Sequence, residues 1–145
     1  MTTLRSPRET PQQHHRPWPQ WTLLAVLLLV AANAGYGGIS LIVNGMGMPD
    51  DWLASTPFDS WRLPGIALLV VVALPQLGAA AAVWRGRAHA PTTALLVGLV
   101  LITWIVAQLL ILGRTFFLQP VIAFLGLVEA ILGVAWARER GARTP

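Results

Sequence analysis

Glu129 is the residue whose type and position point most directly to chemistry. It is the only side chain expected to be charged inside any of four long apolar stretches of the sequence. A carboxylate in hydrocarbon costs roughly 2.5 to 3.5 kcal/mol on insertion scales, so such residues usually face a partner, a cavity or a pathway. We therefore treat Glu129 as the first candidate site, either as a group that binds and releases a proton or as a counter-ion for a cationic substrate.

Two amide side chains lie at depths from which they can reach Glu129. Counted at about 1.5 Å per residue from the basic end of each stretch, Glu129 and Gln76 lie about 12 Å deep and Asn33 about 18 Å. We expect these three residues to form a polar cluster near the bilayer centre. Because burial disfavours a charged carboxylate, Glu129 should be protonated and donate to an amide oxygen. The pair is then either a purely structural spacer or a protonation switch.

A polar stripe follows the first apolar stretch. Asn33, Tyr36, Ser40 and Asn44 recur at spacings of three and four, which places them on one face of a helix. Polar groups that have no water nearby need partners inside the protein, so we expect this face to point into the bundle. It serves either helix packing or an outer polar cavity. The residues expected to line that cavity are Tyr36, Ser40, Trp104 and Gln108.

Composition excludes several other kinds of site. The chain has no Cys and no Lys, so disulfides, thiolate metal sites and Schiff bases on lysine are excluded. His14, His15 and His89 have no carboxylate or cysteine at ligand spacing, so we expect no metal site. The sequence shows no nucleophile with a nearby base, phosphate-binding loop or dinucleotide motif. We expect no catalytic residues and no cofactor.

The elements that position these residues are transmembrane helices. Of the 145 residues 55% are hydrophobic, and the mean hydropathy is +0.62. Apolar stretches of about 20 residues can each cross a hydrocarbon core of about 30 Å. We predict an all-α integral membrane four-helix bundle between a disordered tail, residues 1–20, and a basic tail, residues 138–145. The predicted spans are residues 21–43, 63–84, 93–113 and 116–137.

Charge placement predicts the orientation of the bundle. Eight of the ten arginines lie in the N-terminal tail, the link 85–92 and the C-terminal tail. The positive-inside rule therefore places both termini in the cytoplasm. The sequence pI of about 11.4 is explained by these flanking arginines and by contacts with anionic lipid headgroups, so we expect no nucleic-acid partner. An alternative is that residues 1–34 are a signal peptide cleaved after Ala34, which leaves the remaining topology unchanged.

Two prolines mark predicted local structure. Thr56 and Pro57, followed by Asp59, form a helix-start pattern, so the outer loop 44–62 should contain a short interfacial helix beginning there. That loop is either a passive connector or an amphipathic flap on the membrane surface. Pro75 should distort the second span beside Gln76.

Several short sequence blocks resemble a known group of proteins. Thr56-Pro57-Phe58 precedes Leu63-Pro64-Gly65, Trp104 and Gln108 precede Gly113, and Leu118-Gln119-Pro120 precedes Gly126 and Glu129. In this order the blocks resemble a family of small uncharacterised four-span bacterial membrane proteins, distantly DoxX-like. The resemblance covers most of residues 35 to 135 and implies four helices and a bacterial inner membrane. It implies no activity whose residues can be transferred to this chain.

Three functions are consistent with the sequence. The first is a non-enzymatic membrane protein that acts by association, as an accessory subunit or a homo-oligomer. The second is a small proton-linked carrier that uses Glu129. The third is a protein that binds a lipid or quinone beside Trp104 and Pro75.

Overall fold

The computed structural model describes residues 18–54, 56–113 and 118–141, and these form a bundle of four long helices. Each of the four is long and apolar enough to cross a membrane. Hydrocarbon offers no partner for backbone N–H and C=O groups, so an apolar run of this length is stable there as a helix. The predicted all-α four-helix membrane bundle is confirmed. Its helices are α1 (Trp18–Asn44), α2 (Arg62–Trp84), α3 (Ala90–Leu112) and α4 (Leu118–Gly141).

The predicted tails are described only in small part. The first 17 residues lie outside the described residues, and α1 begins at Trp18, within the segment that was expected to be disordered. At the other end, α4 extends beyond the predicted boundary at residue 137 and includes Arg138 and Arg140. Residues 142–145 lie outside the described part of the chain.

The four helices close into a ring. Each helix packs against the next one in the chain and α1 also contacts α4, and the contacts of α1 with α2 and of α3 with α4 are the most extensive. Leu23 and Leu24 of α1 share a buried cluster with Trp136 of α4. The start of α1 and the end of α4 therefore lie at one end of the bundle, which we call the terminal end. The opposite end, which carries residues 45–54 and 56–61, is the loop end. The cytoplasmic placement of the termini stays a prediction.

The apolar core consists of three clusters stacked along the bundle. Five of the eleven buried residues in the cluster at the terminal end are alanines, which let the helices approach closely there. A middle cluster surrounds Leu101, and a third lies at the loop end beneath Trp61. The buried members, from terminal end to loop end, are Leu23, Leu24, Leu27, Ala79, Ala80, Ala82, Val83, Ala90, Ala94, Val97 and Trp136; then Val30, Ala34, Val72, Ala73 and Leu101; then Leu41, Leu53 and Trp61.

Glycines stop two of the helices. After α2, Gly86 adopts a left-handed φ of 63°, and its N–H donates to the carbonyl of Val83 at 3.0 Å. The N–H of Arg87 donates to the carbonyl of Ala82, also at 3.0 Å, which completes a Schellman motif. Gly113 ends α3 in the same left-handed region, with φ of 60°. The connection between α2 and α3 is thereby kept to a tight turn.

Helix α2 is irregular just before Pro75. Residues Leu69–Ala73 form a π-helical segment, and the N–H of Leu74 donates to the carbonyl of Leu69, five residues earlier. Proline lacks an N–H, and its ring conflicts with the carbonyl four residues before it in a regular α-helix. A wider turn at this point relieves that conflict. The distortion that the sequence predicts beside Gln76 is therefore present as a π-helical turn.

The loop end differs from the sequence prediction. No helix begins at Thr56: its hydroxyl donates to the carbonyl of Leu53 at 2.9 Å and accepts from the N–H of Phe58 at 3.3 Å, which closes a turn. Two single 3-10 turns occur earlier in the loop, at Gly45–Gly47 and Asp50–Leu53. Trp61, at the end of the loop, is buried against the bundle. The loop packs onto the ends of the helices because its aromatic rings bury apolar area in the cluster around Leu41.

Candidate functional site

Glu129 and Gln76 meet inside the bundle. Glu129 on α4 is 0% exposed and Gln76 on α2 is 1% exposed. Gln76 Nε2 donates a hydrogen bond of 2.8 Å to Glu129 Oε2. The structure thus brings together the two side chains that the sequence places at equal depth, on helices that are not adjacent in the chain.

The remaining oxygens of this pair lack partners. Among the described residues, neither Glu129 Oε1 nor Gln76 Oε1 has a hydrogen-bond partner, although both atoms are buried. An ionised carboxylate only accepts hydrogen bonds, so the two remaining oxygens are then both acceptors without a donor. A proton on the carboxyl group supplies the missing donor and removes the charge. A neutral acid is therefore the protonation state that best matches this arrangement, as a buried polar atom without a partner costs about 1 to 3 kcal/mol.

Close contact between α3 and α4 seats Glu129. A β-carbon built on Gly98 would lie 2.6 Å from the carbonyl oxygen of Gly126 and 2.9 Å from the backbone nitrogen of Ala130. It would also lie 3.1 Å from Cβ of Glu129. Distances below 3.0 Å are not tolerated by a real β-carbon, so only glycine permits this approach. The position of the carboxyl group therefore depends on Gly98.

The sequence predicts only one side of this contact. The small residues Gly126, Ala130, Gly133 and Ala137 recur at spacings of three and four, which predicts close packing on one face of α4; the first three are buried and Ala137 is exposed. Their counterpart on α3 was not recognised. The usable signal was the spacing of four between Ala94 and Gly98, which places two small residues on one face of α3.

Asn33 does not join the polar cluster. Its side chain is exposed on the outer surface of α1, whereas the next residue, Ala34, is 7% exposed and belongs to the middle core cluster. The physical reason is that α1 turns its small residues inward. A β-carbon on Gly38 would lie 2.7 Å from Cγ of Leu69, and one on Gly65 would lie 2.7 Å from the carbonyl oxygen of Gly38. The requirement for close packing against α2 fixes the rotation of α1 and turns Asn33 outward.

The expected outer cavity is also not assembled. Tyr36 is 69% exposed, Asn44 is exposed and Ser40 is partly exposed, so this face of α1 points away from the bundle. Trp104 instead packs against the middle core cluster, and its Nε1 atom is buried without a partner among the described residues. Gln108 is partly buried on α3. Tyr36 and Ser40 therefore lie on the outer face of α1, whereas Trp104 packs against the core cluster on its inner side.

A second polar contact at the terminal end was not foreseen. Cζ of Arg140 lies 4.5 Å from the centroid of the Trp136 ring. Its Nη1 atom donates to the carbonyl of Arg87 at 3.1 Å and to that of Ala88 at 3.2 Å. The last turn of α4 is thereby joined to the connection between α2 and α3. The spacing of four between Trp136 and Arg140 was the available signal.

Metal binding receives no support from the described part of the chain, which contains no group of three or more His, Asp or Glu side chains that could hold an ion. The chemistry available at the buried pair is the binding of a proton by Glu129. The group sits in a fully enclosed position, hydrogen-bonded to Gln76 and packed against Gly98.

Comparison with protein families, with curated proteins and with solved structures found no match for this chain. The resemblance to DoxX-like membrane proteins therefore stays a prediction.

Proposed function

We propose that this integral membrane protein acts without enzymatic activity, by associating through the lipid-facing side of α1 as an accessory subunit or homo-oligomer. One observation carries the proposal: the polar residues Asn33, Tyr36 and Ser40 lie on the outer face of a membrane-spanning helix. Hydrocarbon cannot satisfy amide and hydroxyl groups. A protein partner on this face supplies the hydrogen bonds that lipid does not.

The buried pair fits this function as a structural tie. Gln76 and Glu129 connect α2 with α4, the diagonal helices of the ring, through a hydrogen bond of 2.8 Å. Such a tie fixes the relative depth of the two helices. It thereby keeps the outer faces of the bundle, α1 included, in one arrangement that a partner can recognise.

Photocrosslinking in membranes tests the association. The side chain of Tyr36 is replaced by benzoylphenylalanine, a photoreactive aromatic residue of similar shape, in the full chain. Phe124, 62% exposed on α4, receives the same replacement as a matched control. We expect one discrete protein adduct from position 36 and none from position 124. An absence of adducts at position 36, or the same adducts at both positions, would contradict the proposal.

A proton-linked carrier is the second candidate function. Two observations favour it: Glu129 and Gln76 each keep one buried oxygen without a partner among the described residues, and a π-helical turn lies just before Gln76 in α2. Such turns are often found at functional sites. A carrier would have to open the bundle beside this turn, so that Glu129 reaches water and exchanges its proton.

Transport assays separate the two candidates. The protein in proteoliposomes is challenged with a proton gradient and a panel of cationic substrates, beside the Glu129→Gln variant. The carrier function predicts proton-coupled flux that the variant abolishes, because an amide cannot release a proton. An associating protein predicts no flux above empty liposomes for either form and an unchanged photoadduct in Glu129→Gln.

A further inference from the structure

We infer that the partner on the outer face of α1 is a second copy of this chain, bound in parallel so that Asn33 of each copy pairs with Asn33 of the other. The inference rests on the proposed function, since it names the partner of the same surface. The surface consists of Asn33, Tyr36 and Ser40 and is called the polar stripe below.

The depth of Asn33 sets the need for a partner. Helix α1 is 27 residues long and Asn33 lies near its middle, so the amide is far from either headgroup layer. At about 1.5 Å per residue it is about 16 Å from the nearer end of the helix. A side chain of this length cannot reach the interface from there. The amide therefore stays in hydrocarbon unless protein covers it.

The amide needs more than its own helix can offer. Thr103, also exposed within a span, donates its hydroxyl to the carbonyl of Leu99 at 2.9 Å and is satisfied within its helix. An asparagine amide has two donor hydrogens and an acceptor oxygen, and one helical carbonyl cannot satisfy all three. The remaining groups must bond to another molecule.

A second copy matches the chemistry of the stripe. Amide and hydroxyl groups both donate and accept, and the stripe carries no charge, so the surface is complementary to itself. In a parallel pair related by a two-fold axis along the membrane normal, each residue of the stripe meets its own counterpart at the same depth. Paired asparagines in the apolar seam of two parallel helices fix register in the same way.

The neighbouring residues place the seam. At about 100° per residue, Leu29, which is 58% exposed, lies between Tyr36 and Ser40 around α1. The exposed apolar residues Leu28 and Ile39 lie about 140° and about 120° from Asn33 around the helix and are suited to lipid contact. The dimer seam therefore runs along the edge of α1 that carries the polar stripe.

Cysteine crosslinking tests this arrangement in the full chain. The natural sequence has no Cys, so each variant carries a single thiol. Ser40→Cys places that thiol on the stripe and keeps Asn33, and Ile39→Cys places it at nearly the same depth but about 100° away around the helix. Disulfide formation requires α-carbons within roughly 7 Å of each other. On oxidation in membranes we expect dimers from Ser40→Cys in a yield several times that from Ile39→Cys.

A second variant tests the role of the amide itself. Asn33→Leu in the Ser40→Cys background keeps the thiol and the volume of residue 33 while removing its hydrogen bonds. We expect the association constant to fall about 3- to 30-fold, the range expected for interhelical hydrogen bonds in membranes. Tyr36→Phe provides a milder removal of one hydroxyl and should weaken association less.

The outcomes separate this inference from the proposed function. Equal yields from Ser40→Cys and Ile39→Cys would overturn the inference, because random collisions do not distinguish the two positions. If Ser40→Cys fails to form dimers while the photoprobe at position 36 captures a different protein, the second copy is excluded and the association function stands. If neither method captures anything, both are overturned.

Discussion

The tie between Gln76 and Glu129 predicts a specific non-additivity of stability. Replacing Gln76 with Leu leaves the carboxyl group of Glu129 buried without its donor, which should destabilise the fold by about 1 to 3 kcal/mol. Glu129→Leu leaves the Gln76 amide in the same position and should be similarly destabilising. Replacing both groups with Leu removes the polar atoms together, so the double variant should lose much less stability than the sum of the single variants.

The magnitude follows from the contact. One hydrogen bond of 2.8 Å joins two side chains with exposures of 0% and 1%. Each single variant loses this bond and leaves a buried polar group, whereas the double variant loses only the bond, at about 0.6 to 2 kcal/mol in a membrane. We therefore expect a coupling energy of about 1 to 3 kcal/mol in the double-mutant cycle.

Unfolding by SDS titration in mixed micelles measures the free energies of all four proteins. Gln108→Leu serves as the matched control, since Gln108 is a partly buried glutamine of α3, on the order of 15 Å further along the bundle by residue count. Combined with Gln76→Leu, it should act additively within about 0.5 kcal/mol. Additivity in the Gln76 and Glu129 cycle as well would refute the proposed tie.

Three further predictions concern other contacts. Gly98→Ala should destabilise the bundle by about 1 to 3 kcal/mol, because its β-carbon would lie 2.6 Å from a backbone oxygen. Gly78→Ala is the control: there is open space around that position, so stability in the same titration should change by less than about 0.5 kcal/mol. Arg140→Ala should lower the free energy of unfolding by about 0.5 to 1 kcal/mol, because its contact with Trp136 is lost. It should also speed proteolysis of the connection 85–89, because the hydrogen bond to the carbonyl of Arg87 is lost. Equally fast proteolysis of Arg138→Ala would argue against a role of Arg140 in holding this connection. Glu129→Gln should keep stability within about 1 kcal/mol and abolish the carboxylic-acid carbonyl band in infrared spectra, and a wild-type spectrum with only a carboxylate band would exclude the neutral acid.

The sequence predicts the helices well because their signal is length and uniform apolarity. The stretch around Leu101, for example, contains no charge over more than 20 residues, and only a helix satisfies such a backbone in lipid. The pairing of Gln76 with Glu129 also follows from the sequence, because equal residue counts from the terminal end give equal depth in two nearly parallel spans.

The direction in which α1 faces did not follow from the sequence. In a soluble protein the polar side of a helix faces water. In a membrane the usual expectation is that the polar groups of a span face the interior of the protein. Here the fit between Gly38 and Gly65 decides the rotation, and that fit depends on a backbone contact between two helices. Polarity alone does not encode such a contact, which is why Asn33 and Tyr36 were assigned to the interior.

The structure of the loop end also did not follow from the sequence, for a related reason. Thr56 has the side chain of a helix cap, but its hydroxyl is used by Leu53 and Phe58 to close a turn. Burial of Trp61 against Leu41 then holds the loop on the bundle. Local sequence preference was overridden by tertiary packing.

Native mass spectrometry of the full chain, released directly from membrane vesicles, shows whether the protein associates through α1. We expect a dimer for the wild-type protein and a shift toward monomer for Asn33→Leu. Leu110→Ala should leave the dimer unchanged, since Leu110 lies on α3 and is 81% exposed. A wild-type protein that is monomeric at every concentration and retains no protein partner would show that α1 does not mediate association.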